Sequence, residues 1–127
     1  MPEQHLYEYA VIRVVPRVER EEFLNVGIVL YCARKRYLKV KYLVDSNRVG
    51  ACFALVDIDE VCTYLHAFEQ ICAGSKGAGP ISLLPVAERF RWLTATRSTI
   101  IQTSKVHPGF CEDLDETLNK LYEQLVS

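Results

Sequence analysis

The sequence predicts an α+β fold, a small antiparallel sheet covered by helices, and three observations carry that reading. The first third holds three β-rich runs, two of them close enough in sequence to form a hairpin. The later part places apolar residues at helical spacing behind acidic capping residues. The order of elements, strand, hairpin, helices, strand, helix, does not alternate as a parallel β/α chain does. The 127 residues are read as one α+β domain over 1–127, long enough to bury a core without disulfide or metal staples.

Residues 6–15, Leu6-Tyr-Glu-Tyr-Ala-Val-Ile-Arg-Val-Val15, are rich in β-branched and aromatic side chains and stop at Pro16, which cannot donate to a ladder. They predict a central strand. Phe23 to Cys32 and Tyr37 to Val44 form a hairpin across the turn Ala33-Arg34-Lys35-Arg36. In the second of these strands Leu38, Val40, Tyr42 and Val44 alternate with Tyr37, Lys39, Lys41 and Leu43, which predicts a mostly wet face and a sheet covered on one side.

Asp57 with Glu60 three residues on is a capping signal. Behind it Ile58, Val61, Cys62, Leu65, Phe68 and Cys72 fall on one stripe, predicting a helix over 58–73. Asp45-Ser-Asn47 is expected to cap a shorter helix to about Val56. Gly74 to Pro80 reads as a flexible loop, Pro85 as the first turn of a helix to about Thr94, and Ser98 to Gln102 as a short strand. At the end of the chain, Leu114, Leu118, Leu121, Tyr122 and Leu125 repeat at three and four behind the acids Asp113, Asp115 and Glu116, which suit a helix N-terminus.

Fifteen basic against sixteen acidic residues give no global pull toward nucleic acid, which is not favoured as a partner. The charge is uneven. Residues 1–56 carry nine Lys/Arg and six Asp/Glu, a balance of +3, and residues 57–127 carry six and ten, a balance of −4. An anionic ligand therefore suits the amino-terminal half. Cys32, Cys52, Cys62, Cys72 and Cys111 are odd in number and lack Cys-x-x-Cys spacing, so neither a disulfide framework nor a zinc site is indicated. A reducing cytoplasm is expected, with no membrane span, no metal and no cofactor.

The first candidate site is Arg13 with Arg17, Arg20, Glu21, Glu22 and Asn25. Alternation puts Arg13 on the face of Tyr7, Tyr9, Val11 and Val15, and Asn25 on one face of the next strand with Gly27. An Arg and an Asn on adjacent strands make a floor for a carboxylate or phosphate, which guanidinium grips through parallel hydrogen bonds. The plainer alternative is an internal ion pair of Arg13 with Glu21 or Glu22. The second candidate is Arg89-Phe-Arg91-Trp92-Leu-Thr94-Ala-Thr-Arg97-Ser98-Thr99-Ile-Ile-Gln102, arginines and hydroxyls suited to an anion. Its alternative is Trp92 anchored in the core with Glu88 pairing an arginine. His107-Pro-Gly109 is read as a loop, with acid or base chemistry as the lesser option. The basic hairpin tip with Lys39 and Lys41 reads as a solvated face that discourages edge pairing. Gly74-Ser-Lys-Gly-Ala-Gly79 lacks the order of a phosphate-binding P-loop.

The segments Tyr-x-Tyr-x-x-Ile-Arg-x-x-Pro-x-x-x-Arg-Glu-Glu-Phe-x-Asn-Val-Gly-Ile-x-Leu, from Tyr7 to Leu30, and Arg-Trp-Leu-Thr-x-x-Arg-Ser-Thr-x-x-Gln, from Arg91 to Gln102, continue through Val106-His107-Pro-Gly109 to the last helix. In these the chain resembles a family of small bacterial proteins known only as a domain of unknown function. The resemblance marks Arg13, Pro16, Arg20, Glu22, Asn25, Gly27, Arg91, Trp92, Arg97, Ser98 and Thr99. It implies no activity, but members are often encoded beside a HipA-like kinase, which implies an accessory role. The expectation is thus a partner-binding module whose two arginine segments meet in one cleft, with ligand contacts from Arg13, Arg20, Glu22, Asn25, Arg91, Arg97, Ser98 and Thr99. The alternatives are a small enzyme acting on a phosphorylated or nucleotide substrate, with Glu22 or His107 moving protons, and motifs that only hold the fold together.

Overall fold

A computed structural model describes residues 3–15, 23–45, 47, 57–95 and 100–126, the side chain of Ala78 excepted. Its strands are β1 (His5–Val14), β2 (Leu24–Cys32), β3 (Tyr37–Tyr42), β4 (Ile101–Thr103) and β5 (His107–Cys111), and its helices α1 (Ile58–Ala73), α2 (Val86–Leu93) and α3 (Leu114–Leu125). The sheet is antiparallel throughout, in the order β3-β2-β1-β4, with β5 pairing β1 beyond β4.

β1 is central because both of its faces are apolar. Ala10, Ile12 and Val14 join Val26, Val29, Tyr31 and Leu38 in a core closed by α1 and α2 through Val61, Leu65, Phe68, Phe90 and Leu93. On the opposite face Val11 joins Ile28, Leu30 and Cys32 beneath Leu114 and Leu118 of α3, with Tyr7 and Tyr9 beside them. The expectation of one covered face is therefore corrected, since helices cover both. The alternation of Tyr37, Lys39 and Lys41 looks wet in sequence because α3 meets these residues through polar contacts. The Tyr37 hydroxyl donates to Asp115 Oδ1 at 2.7 Å, Lys39 Nζ to the same oxygen at 3.1 Å, and Lys41 Nζ to Asn119 Oδ1 at 2.9 Å.

α1 has the predicted limits. Asp57 Oδ1 accepts from the N–H groups of Asp59 and Glu60 at 3.0 and 3.3 Å, and Gly74 ends the helix in the left-handed region at φ 68°. Its buried stripe is Val61, Leu65, Phe68, Ile71 and Cys72, so Ile71 takes the place expected of Cys62, which is exposed. Burial pushes the Cys72 thiol up to about 12. Asp113 caps α3 by accepting from Glu116 N–H at 3.1 Å.

Between α1 and α2 the expected flexible loop contains two short 3₁₀ turns, Lys76–Ala78 and Pro80–Leu83. Ser82 is buried, and its hydroxyl lies 2.6 and 2.7 Å from the carbonyl oxygens of Ser75 and Gly79, serving one at a time with its single proton. The second short helix starts at Val86, after Pro85. His107 to Cys111 is a strand rather than a loop, and its proline is tolerated because β5 lies at an edge. The helix expected from Asp45 to Val56 lies outside the described residues, apart from Asp45 Oδ1 accepting from Asn47 N–H at 3.0 Å.

Candidate functional site

One irregularity in the sheet positions the site. β1 and β2 pair as Ile12↔Gly27 and then Arg13↔Asn25, so Val26 is an extra residue on β2, a β-bulge. Val26 consequently turns to the α1 side, and Asn25 turns to the α3 side, where its Nδ2 donates to the Leu125 carbonyl at 3.0 Å. Asn25 and Gly27 therefore do not share a face as simple alternation predicts. Gly27 answers a separate demand. A Cβ there would stand 2.7 Å from Tyr42 Cβ and 2.8 Å from the Lys41 carbonyl oxygen, so the close approach of β3 requires glycine.

The bulge leaves a row of three polar residues across three strands. Asn25 on β2 and Gln102 on β4 flank Arg13 on β1. The Arg13 guanidinium lies over the Phe23 ring, 4.0 Å from its centroid, a cation–π contact. Arg13 Nε and Asn25 Oδ1 are both buried and meet no hydrogen-bond partner among the described residues. Satisfied buried polar atoms are the rule, and an orphaned pair side by side is a place for a ligand group or water.

Beside this row the described end of β1 meets the start of β4. Val15 N–H donates to the Ile100 carbonyl at 2.7 Å, and Val14 pairs with both Leu24 and Ile101. Of the expected ligand residues, Arg13 and Asn25 sit together here. Arg20, Glu22, Arg97, Ser98 and Thr99 lie outside the described residues, as do Arg17 and Glu21. Arg91 is exposed on α2, which packs on the other face of the sheet. Trp92 is 39 % exposed rather than anchored in the core. Phe90 and Leu93 are the residues of α2 that enter the core.

Sequence reasoning named two positions without their roles and missed a third. Gln102 stood inside a motif, but only the β1–β4 register places it against Arg13. Arg89 looked like an anion ligand, whereas its Nη1 lies 3.0 Å from the carbonyls of both Ile71 and Cys72. It thus supplies the cation that the last turn of α1 lacks. Ser104 carried no signal at all. His107 sits opposite Tyr9, rings 5.4 Å apart, four residues along β1 from Arg13. That is roughly 13 Å at strand rise, beyond hydrogen-bonding reach of the row.

Fold and site together define a small α+β domain with a half-buried arginine row at one end of a doubly covered sheet. The chain belongs to the family described as protein of unknown function (DUF3037), whose profile matches residues 9–126. No curated protein and no solved structure matches the chain. Among the described residues no helix is long and apolar enough to cross a membrane.

Proposed function

We propose that this chain is an accessory binding module that recognises an acidic or phosphorylated group, carried by a partner protein, at the Asn25–Arg13–Gln102 end of the sheet. The observation that supports it is the pair of buried polar atoms, Arg13 Nε and Asn25 Oδ1, on facing residues and without a hydrogen-bond partner among the described residues. An incoming oxyanion accepts from the guanidinium, and a protonated or N–H-bearing neighbour on the same ligand donates to Asn25 Oδ1. Arg17, Arg20, Arg97, Ser98 and Thr99 are neighbours in sequence of the described strand ends, and on this reading they complete the anion contacts. A HipA-like kinase is the partner that the family resemblance suggests. His107, one of the two residues considered for moving a proton, is too far from the row to act there, which favours binding.

A thermal-shift series with inorganic phosphate, nucleotides and phosphopeptides tests the reading. A ligand confined to the folded state stabilises it by mass action, by about 2.7 kcal/mol at a hundredfold excess over Kd. The expected result is a rise in Tm with phosphate-bearing compounds that is lost in Arg13→Gln and reduced in Arg13→Lys, which keeps the charge but not the fork. A series with no shift, or with an equal shift in Arg13→Gln, removes the anion site.

A further inference from the structure

We propose that the open edge of β3 is a docking strand for an extended acidic peptide of a partner protein, a surface separate from the arginine row and independent of it. β3 ends the sheet on the side away from β4. Leu43 N–H donates to the Val26 carbonyl at 3.0 Å. By antiparallel alternation Lys41, Lys39 and Tyr37 then turn their backbone groups toward β2, and Leu38, Val40 and Tyr42 turn theirs outward. Among the described residues no backbone group meets Leu38 or Val40 on that side. A row of free donors and acceptors of this kind is a template for a further strand.

Lysines on an edge strand usually oppose such pairing, and Lys39 and Lys41 read that way in sequence. In the folded chain their ammonium groups are drawn onto α3, to Asp115 and Asn119. On the side of the edge that faces α1 Lys41 is absent, and Lys39 lines the groove with its ammonium group held by Asp115. Along that side runs a groove of about 520 Å³, walled by Leu38 and Val40 of β3, Cys72 and Ala73 of α1, and Val86 of α2. Lys35, Arg36, Lys39 and Arg89 also line it, against the single acid Glu69. A neighbouring hollow of about 500 Å³ shares Arg36, Val86 and Arg89, so two guanidinium groups stand where the hollows meet.

The occupant follows from these features. Backbone pairing needs an extended chain, the apolar wall takes alternate small apolar side chains, and the cationic lining at the hairpin tip selects acids between them. The outward groups from Leu38 to Tyr42 span about 13 Å, enough for four or five peptide residues.

The test is an amide-resolved NMR titration of the full chain with the capped hexapeptide Glu-Val-Glu-Val-Glu-Val, its Lys-for-Glu counterpart, and an acidic version N-methylated at alternate residues. Binding of the acidic peptide is expected to move the Leu38, Val40 and Tyr42 amides. It is expected to weaken about fivefold in Arg36→Asn, a substitution that keeps the left-handed backbone found at Arg36, φ 49°. N-methylation and the Lys counterpart are both expected to abolish binding. Equal binding of the Lys peptide, indifference to N-methylation, or no binding at millimolar peptide overturns the proposal. So does a dimer paired through β3 in the absence of peptide. Shifts confined to Arg13 and Gln102 overturn it while leaving the arginine row standing.

Discussion

Ser104 shows how much one small residue carries. β1 changes partner from β4 to β5 along its length, and where the ladder is interrupted Ser104 serves Val11 twice. Its N–H donates to the Val11 carbonyl at 2.8 Å, and its Oγ accepts from Val11 N–H at 2.8 Å. Both residues are buried. Ser104→Ala leaves the Val11 N–H without a partner and is expected to cost about 1–3 kcal/mol, read as a lower urea midpoint at unchanged slope. A stability within a few tenths of a kcal/mol of the parent would mean that water reaches Val11. Arg89 acts on the same scale, since its Nη1 lies 3.0 Å from two carbonyls at the end of α1 and so fixes the guanidinium as part of a helix cap rather than at the arginine row. A charged side chain in a motif is thus open to two readings, and the identity of the atoms within 3 Å decides between them.

At the level of elements, the bulge in β2 does most to shape the candidate site. A regular β2 would set Asn25 on the side of α1. One extra residue at Val26 moves Asn25 to the α3 side, beside Arg13. Gly27 is the second half of the device, because the bulged strand lies so close to β3 that no side chain fits. Gly27→Ala is expected to destabilise the protein by roughly 1–3 kcal/mol. The neighbouring amides of Lys41 and Tyr42 are expected to show the largest NMR shifts, since the clash is with backbone and Cβ atoms that cannot swing away. Thermal and chemical stability equal to the parent would place the strand farther away than described. The helices behave more simply. Asp57 and Asp113 cap α1 and α3 as local chemistry dictates, each worth about 1 kcal/mol.

For the whole molecule, the contact between α3 and the hairpin couples the end of the chain to its first third. The Asp115 carboxyl is held below the usual carboxylate range, first by the Tyr37 hydroxyl and then by Lys39. The Tyr37 hydroxyl is raised by its burial and then by Asp115. A carboxyl whose pKa is lower folded than unfolded adds stability above its unfolded value near 3.8, and that contribution is lost as the pH falls through the folded value. Asp115 is largely exposed, so solvent screens the contribution and keeps it small. Asp115→Asn is therefore expected to lower the denaturation midpoint modestly at pH 6, with the two proteins converging as the pH falls below the unfolded value and through the lowered folded one. Parallel pH curves would show that the contact adds nothing to folding. The same topology sets the two proposed surfaces apart. The arginine row lies where β1 ends and β2 begins, and the groove beside β3 lies toward the hairpin tip.

Periodicity and capping by themselves determined the α+β class, the hairpin, the limits of α1 and the helix at the end of the chain, because each depends on residues within a few positions of one another. Local signals also marked Arg13 and Asn25 as polar interruptions of apolar strands. Only the tertiary structure decided that both faces of the sheet are covered, that His107 to Cys111 is a strand, and that Gln102 rather than Arg91 stands beside Arg13. It likewise decided that Arg89 caps a helix and that the ammonium groups of Lys39 and Lys41 are held by Asp115 and Asn119 of α3. The physical reason is the range of the interactions. Helical stripes and caps are written within one or two turns, whereas strand register and the partner of a charged group depend on residues up to about a hundred positions apart, as with Asn25 and Leu125.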